Sequence, residues 1–168
     1  MTDGDEPERI FEQAIRFHQA QQILKSSPND QREALVQLVC VLAAFTIELL
    51  LKCFIRIEGG APPSIHELDD LFNLLSAPTR KRLEAMWGDY VHAMPAETTE
   101  PFKRIGVTIE PELTSALTAG RKAFQRIRYL HEEAGEDFVF YLEHLPTMLF
   151  TVAFELRPDW GRVMLSRA

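Results

Sequence analysis

The chain has 168 residues, of which 46% are hydrophobic, and its 25 acidic residues against 18 Lys and Arg residues give a formal net charge of −7. A chain of this length fits one domain and buries enough apolar surface to fold without a disulfide or a metal ion. The negative charge excludes a protein that coats nucleic acid by bulk electrostatic attraction.

Apolar residues at helical spacing predict two long helices in the first third of the chain. The first is expected over residues 6–24, and the second, over residues 28–57, should end where Gly59 and Gly60 interrupt the pattern. From residue 38 to residue 47 the second helix is apolar on every side apart from Thr46. A helix of this kind touches neighbours on most of its surface, so we expect it to be the central helix of a bundle.

The central helix also has the length of a membrane span, and its charges argue against that interpretation. Its longest uncharged apolar run is only about half of the roughly 20 residues that a span needs, because Glu48 interrupts it. Its cysteines, Cys40 and Cys53, would lie about 20 Å apart along the helix, too far for a disulfide. The N-terminus is acidic and polar, unlike a signal peptide. We therefore expect a cytoplasmic protein that does not enter a membrane.

Four shorter helices are predicted to follow, over residues 65–75, 77–94, 112–134 and 144–157. Ser64 and Glu67 would form a capping box at the first of these, and Ser76 would cap the second. The segment 95–111 contains three prolines, so we expect a surface loop there, one that could move over a cleft. The sequence leaves open whether the tail with Trp160 docks or frays.

The pattern of elements determines the predicted fold class. The sequence contains no internal repeat and no pair of strands joined by a hairpin turn. We therefore predict an all-α fold, an up-and-down bundle of five to six helices around the central apolar helix, with residues 1–168 as a single domain.

Two charges, Glu48 and Lys52, interrupt the apolar surface of the central helix. Their spacing places them on one face, and a Glu four residues before a Lys is the favourable order. Charged side chains in so apolar a helix need partners, so this face should meet another helix, a second subunit or a ligand. A structural ion-pair network, a subunit interface and a functional site remain three open interpretations.

The stretch from Arg121 to Glu133, RKAFQRIRYLHEE, holds the densest group of functional-looking side chains. Four of the chain's 18 Lys and Arg residues lie in it, with a histidine and a tyrosine. In one interpretation Arg121, Lys122 and Arg126 form a solvated face, and Arg128 pairs with an acid such as Glu48. In the other, the stretch forms a functional site.

Three motifs together resemble the HEPN superfamily of all-α domains: IELLLK at 47–52, IHELDDL at 65–71 and Arg-x4-His at 126–131. The resemblance covers roughly residues 35–134. In the ribonuclease members, Arg-x4-6-His supplies metal-independent RNA cleavage, usually in a dimer whose two motifs line one cleft. The resemblance implies that Arg126 would steady the scissile phosphate and that His131 would act as acid or base for attack by the RNA 2′-hydroxyl.

Two features of the motif depart from that ribonuclease pattern. Ile127 follows the arginine, where a polar residue is common. On an unbroken helix Arg126 and His131 would point about 140° apart, whereas Arg128 and His131 would be only about 60° apart. The ribonuclease interpretation therefore requires a break in the helix or a second subunit that completes the site.

We predict first a homodimeric, HEPN-like interaction module that binds a nucleotide, RNA or a protein partner without turning it over. A binding or structural polar network in it would consist of five side chains: Glu48, Lys52, Arg128, Tyr129 and Glu132. The alternative is a metal-independent endoribonuclease of the toxin or defence type, with Arg126 and His131 acting across a dimer cleft. Related toxin-antitoxin pairs suggest a nucleotidyltransferase-like antitoxin as its partner. Neither interpretation needs a cofactor, and the scattered histidines indicate no metal site.

Overall fold

The computed structural model describes residues 5–121 and 140–161, except for the side chains of residues 5 and 29–34. In these residues the secondary structure is entirely helical, which confirms the all-α prediction. The α-helices are α1 (Asp5–Lys25), α2 (Asn29–Ile57), α3 (Leu68–Asn73), α4 (Ala77–His92), α5 (Ala96–Arg104), α6 (Leu113–Ala119) and α7 (Leu145–Leu156). A short 3-10 helix, Pro158–Trp160, follows α7.

Helix α2 is the central element of the bundle, as its apolar pattern predicts. It forms a hairpin with α1 and also packs against α3 and α7. Ala43, Ile47, Leu50 and Phe54 follow each other at helical spacing and are fully buried. The boundaries of both long helices agree with the predicted ones within one residue.

The C-terminal end of α2 is defined by two glycines and is tied to the start of α4. Gly59 adopts the left-handed conformation, with φ of 85°, which glycine reaches without steric cost. The next amide, that of Gly60, donates to the carbonyl of Ile55 at 2.8 Å and completes a Schellman-type cap. The adjacent carboxylate of Glu58 accepts from the backbone N–H of Ser76 at 2.7 Å. Ser76 is the N-cap of α4, as predicted.

Helix α3 begins at Leu68, three residues later than predicted, so the predicted capping box is wrong. The N-cap residue is Glu67, and its carboxylate accepts from the backbone N–H of His66 at 3.2 Å. The side chain of His66 reaches back to Glu48 on α2 instead of joining the helix. A contact made outside the segment therefore overrides the local capping signal of Ser64.

The predicted surface loop over residues 95–111 contains helix α5, so that prediction is wrong for its first half. Acidic Glu97 in the first turn and basic residues in the last turn complement the helix dipole, and the helix accommodates Pro101. No residue of α5 is fully buried, and the Phe102 ring contacts the Tyr141 ring edge to face at 6.3 Å. The prolines of this segment predict a loop, but only Pro101 lies inside the helix, where it removes one backbone hydrogen bond. The dipole-compatible charges and the contact of Phe102 outweigh that loss.

The helix predicted over 112–134 ends much earlier in the described residues. Helix α6 stops at Ala119, and Gly120 is its C-cap. A Cβ atom at Gly120 would lie 2.8 Å from a terminal methyl carbon of Leu142, so a larger residue here would force that side chain to shift. Residues 122–134 lie outside the described residues.

The structure describes the last predicted helix and the start of the tail, as far as Gly161. Helix α7 carries Pro146 in its first turn, as expected, and most of its length is buried. This first part of the tail docks onto the bundle: Trp160 is 1% exposed, and its ring centroid lies 4.4 Å from that of Phe11. The guanidinium of Arg157 covers the Trp160 ring at 4.6 Å.

One helix in the described part of the chain, over Leu35–Ile57, is long and apolar enough to cross a membrane by length and composition. Within its most apolar window, 61% of the residues are buried inside the protein. Burial of this kind is typical of the central helix of a bundle, which passes the same test.

Candidate functional site

The two charges of α2 form a buried ion pair with a third partner. Glu48 is 5% exposed, and its Oε1 accepts from Lys52 Nζ at 2.8 Å, one helical turn away. The same oxygen lies 2.9 Å from Nδ1 of His66. The predicted placement of Glu48 and Lys52 on one face is therefore confirmed, and the partner that approaches this face is the segment before α3.

His66 is the residue of this cluster that sequence reasoning missed. Because an ionised carboxylate only accepts hydrogen bonds, Nδ1 carries the proton and donates to Glu48. The side chain is 52% exposed, so the ring is anchored at one edge and open at the other. The sequence does indicate that some residue of the linker 58–67 contacts α2, because this linker connects α2 to a helix that packs against it. It does not specify which linker residue reaches Glu48.

A second polar cluster lies at the start of α3. Arg121 donates to Asp69 Oδ2 at 2.7 Å through one terminal nitrogen and bonds Asp70 through the other. The hydroxyl of Thr118 on α6 also donates to Asp69. Arg121, which one interpretation assigns to a solvated face, is thus ion-paired, although its side chain remains 40% exposed. The basic stretch of the sequence begins beside α3.

The remaining predicted site residues lie outside the described residues. They are the proposed catalytic pair, Arg126 and His131, and three members of the proposed network, Arg128, Tyr129 and Glu132. Their convergence, and the pairing of Arg128 with Glu48, therefore stay predictions. The helix predicted over residues 112–134 does not run unbroken from its start, since α6 ends at Ala119.

Neither cysteine is a candidate nucleophile. Burial raises the pKa of the Cys53 thiol to about 12, and Cys53 donates to the carbonyl of Pro7 at 3.3 Å. Burial likewise raises the pKa of Cys40 to about 11, so both are protonated thiols at neutral pH. In residues 5–121 and 140–161, no group of three or more His, Cys, Asp or Glu side chains could hold a metal ion.

Three consecutive side chains of α2, at residues 36–38, are exposed although two of them are apolar. Val36 is 53% exposed and Leu38 51%, and Gln37 between them is exposed as well. Three consecutive helical residues span about 200° of the helix surface, so α2 is open on most sides at this level. We call residues 36–38 the α2 entry segment.

A groove of about 400 Å³ lies beside the α2 entry segment. Its walls come from the end of α1, the N-terminal half of α2 and the segment before α7, and consist of Leu24, Lys25, Val36, Val39 and Glu143. Lys25 Nζ lies 3.6 Å from Glu143 Oε2. A hydrogen bond from His144 and the charge of Lys25 lower the pKa of Glu143, so its carboxylate is ionised at neutral pH.

Comparison with protein-family models matches the chain to the HEPN domain over residues 14–100, just over half of its length. The matched stretch includes Glu48, Lys52 and His66 and ends before the Arg-x4-His motif at 126–131. No curated protein and no solved structure matched the chain. The all-helical architecture agrees with the predicted resemblance and with the family match. The chain therefore belongs to the HEPN family.

Proposed function

We propose that this HEPN protein is an interaction module that forms a homodimer and binds its partner without chemical turnover. The observation that supports it is the α2 entry segment, where Val36 and Leu38 leave half of their surface in water. Ile23, near the end of α1, is 70% exposed. Exposed large apolar side chains of this kind are typical of a surface that another molecule covers.

A second copy of the chain is the partner that this surface fits most simply. Closed two-fold dimers are the commonest oligomers, and they bring the same patch of each copy together. From Val39 to Ile57 every side chain of α2 is buried or partly buried, so among the described residues of this helix the entry segment is the exposed part left for such a contact.

Binding without turnover is supported by the ion pairs of both polar clusters, in which cations are paired with carboxylates of the same chain. Lys52 bonds Glu48, and Arg121 bonds two aspartates, so each of these cations already serves a carboxylate. Cations used in this way hold helices together and are less available to stabilise charge that develops in a transition state. The bound ligand that we propose is a nucleotide, RNA or a protein partner, in the cytoplasm.

If the protein is a homodimer, size-exclusion chromatography with light scattering should give a mass of twice 19.2 kDa. Replacing Val36 and Leu38 together by serine should weaken the dimer by at least about tenfold, because the two copies together lose apolar contacts worth at least about 1.4 kcal/mol. Leu74→Ser is the control, since Leu74 is equally exposed, at 54%, but follows α3. A monomer at every concentration, or an equal effect of the control, would contradict the proposal.

Family membership and the sequence motif support one second candidate, the metal-independent ribonuclease with a nucleotidyltransferase-like antitoxin. Our proposal predicts that a mixed RNA pool stays intact after incubation with the purified protein in the presence of a chelator. Gel electrophoresis of the RNA provides the measurement. Cleavage that disappears in both Arg126→Ala and His131→Ala variants would replace the interaction module with the ribonuclease.

A further inference from the structure

The groove beside the α2 entry segment combines an apolar floor with one charge of each sign at its rim. Leu24, Val36 and Val39 supply the apolar surface. Lys25 and Glu143 supply the charges, and their side chains are 28% and 38% exposed. No other chain element covers the groove within the described residues, and its volume suits a few side chains of a partner.

The two charged side chains at the rim, Lys25 and Glu143, are only weakly paired with each other. Lys25 Nζ and Glu143 Oε2 are 3.6 Å apart, longer than a well-formed charged hydrogen bond. The backbone around Glu143 is fixed, because the side-chain amide of Gln21 donates to its carbonyl at 3.2 Å. The other carboxylate oxygen, Glu143 Oε1, lies 3.4 Å from His144 Nε2. Lys25 Nζ and Glu143 Oε2 are therefore the rim atoms that can take a second partner.

A surface of this kind is complementary to itself. In a two-fold contact each copy presents the same patch, so a patch of one sign would repel itself. When a patch has one positive and one negative group beside an apolar centre, a two-fold rotation can place the positive group of each copy opposite the negative group of the other.

We propose that a second copy of this chain occupies the groove, with Val36 near the centre of the contact. Lys25 of each copy then pairs with Glu143 of the other copy. This inference rests on the proposed homodimer and assigns its interface.

Exchanging the charges one at a time tests the interface. Lys25→Glu makes one chain acidic at both rim positions, and Glu143→Lys makes another basic at both. Each variant alone should dimerise at least about a hundredfold more weakly than the unchanged chain, because like charges meet at two symmetric places. Light scattering over a range of protein concentrations provides the dissociation constants.

Mixing the two variants separates the contact between copies from the pair within one copy. In neither variant can positions 25 and 143 of one chain form an opposite-charge pair, but between an acidic copy and a basic copy both rim contacts are attractive. We therefore expect a heterodimer to form on mixing, detected by native mass spectrometry, with an affinity within about tenfold of the unchanged homodimer.

A matched surface pair serves as the control. Arg82 on α4 and Glu155 on α7 also form an exposed ion pair, at 2.6 Å, but they do not line the groove. Arg82→Glu and Glu155→Lys should leave the homodimer unchanged and should not create a preference for heterodimers.

The outcomes distinguish this inference from the proposed function. If the unchanged chain is monomeric, the homodimer itself is wrong. If it is dimeric but the rim variants dimerise normally, or mix without forming heterodimers, the homodimer stands and the assigned interface is wrong. Circular dichroism verifies folding. If Glu143→Lys does not fold, Lys25→Glu alone still tests the assigned interface. An unchanged dissociation constant of the dimer in that variant would show that the assignment is wrong.

Discussion

Replacing Glu48 by alanine should lower the free energy of unfolding by about 3 kcal/mol, the lower end of what is typical for breaking a buried ion pair. The ammonium of Lys52, whose side chain is only 16% exposed, would lose its carboxylate, and His66 would lose its anchor on α2. The effect is at the lower end because Lys52 retains some contact with water. Urea denaturation followed by circular dichroism measures the change.

The control for this prediction is an exposed carboxylate with a similar number of bonds. Glu155 accepts from two nitrogens of Arg82, at 2.6 and 3.0 Å, but both side chains are more than 40% exposed. Glu155→Ala should therefore lower the free energy of unfolding by less than about 1 kcal/mol, because solvent screens the pair. Equal losses in the two variants would contradict a buried network around Glu48.

A double replacement separates structural from functional use of the Glu48 pair. Glu48→Leu combined with Lys52→Met removes both charges and keeps apolar volume, which is often neutral for stability. If this variant is as stable as the unchanged chain and still dimerises, the pair acts as a structural network. Loss of dimer or ligand binding at unchanged stability would instead assign the pair to a site.

Replacing Trp160 by alanine should lower the free energy of unfolding by about 3 to 5 kcal/mol, as expected for deleting a large buried aromatic side chain. Trp160 is 1% exposed, stacks closely on Phe11 and lies under the guanidinium of Arg157. Its loss would leave a cavity between the tail, α1 and α7. Urea denaturation with an unchanged slope is the measurement.

Ile105 provides the control for the docking of the tail. It is also apolar but 59% exposed, so Ile105→Ala should change the free energy of unfolding by less than about 0.5 kcal/mol. A loss in Trp160→Ala no larger than in this control would show that the tail contributes nothing to the core. Because the chain has two tryptophans, the remaining fluorescence would report on Trp87 alone.

Local patterns predicted the elements whose signals are contained in one segment. The long apolar stretch of α2, the glycines that end it and the serine that caps α4 all act over a few residues, and each was found where expected. The sequence pattern did not predict helix α5, because prolines in a segment indicate a loop. The charges at its two ends, which complement the helix dipole, and the contact of Phe102 with Tyr141 favour the helix instead.

The candidate site was only partly predictable for a related reason. Glu48 and Lys52 are four residues apart on one helix, so helical geometry alone pairs them. His66 reaches Glu48 across 18 positions, and Arg121 reaches Asp69 across 52. Pairs of this kind depend on how a linker turns and on which helix end it approaches, and neither property is encoded in residue spacing.

By itself the sequence determined the helical class, the central helix, the family and the buried charge pair, since these follow from periodicity and short-range contacts. Only the tertiary structure decided which residues meet the charges, where α3 and α6 end, and which part of α2 is left open. The physical reason is that burial and long-range pairing are properties of the packed chain. A one-turn difference in where a linker returns changes which side chain is buried and which one faces water.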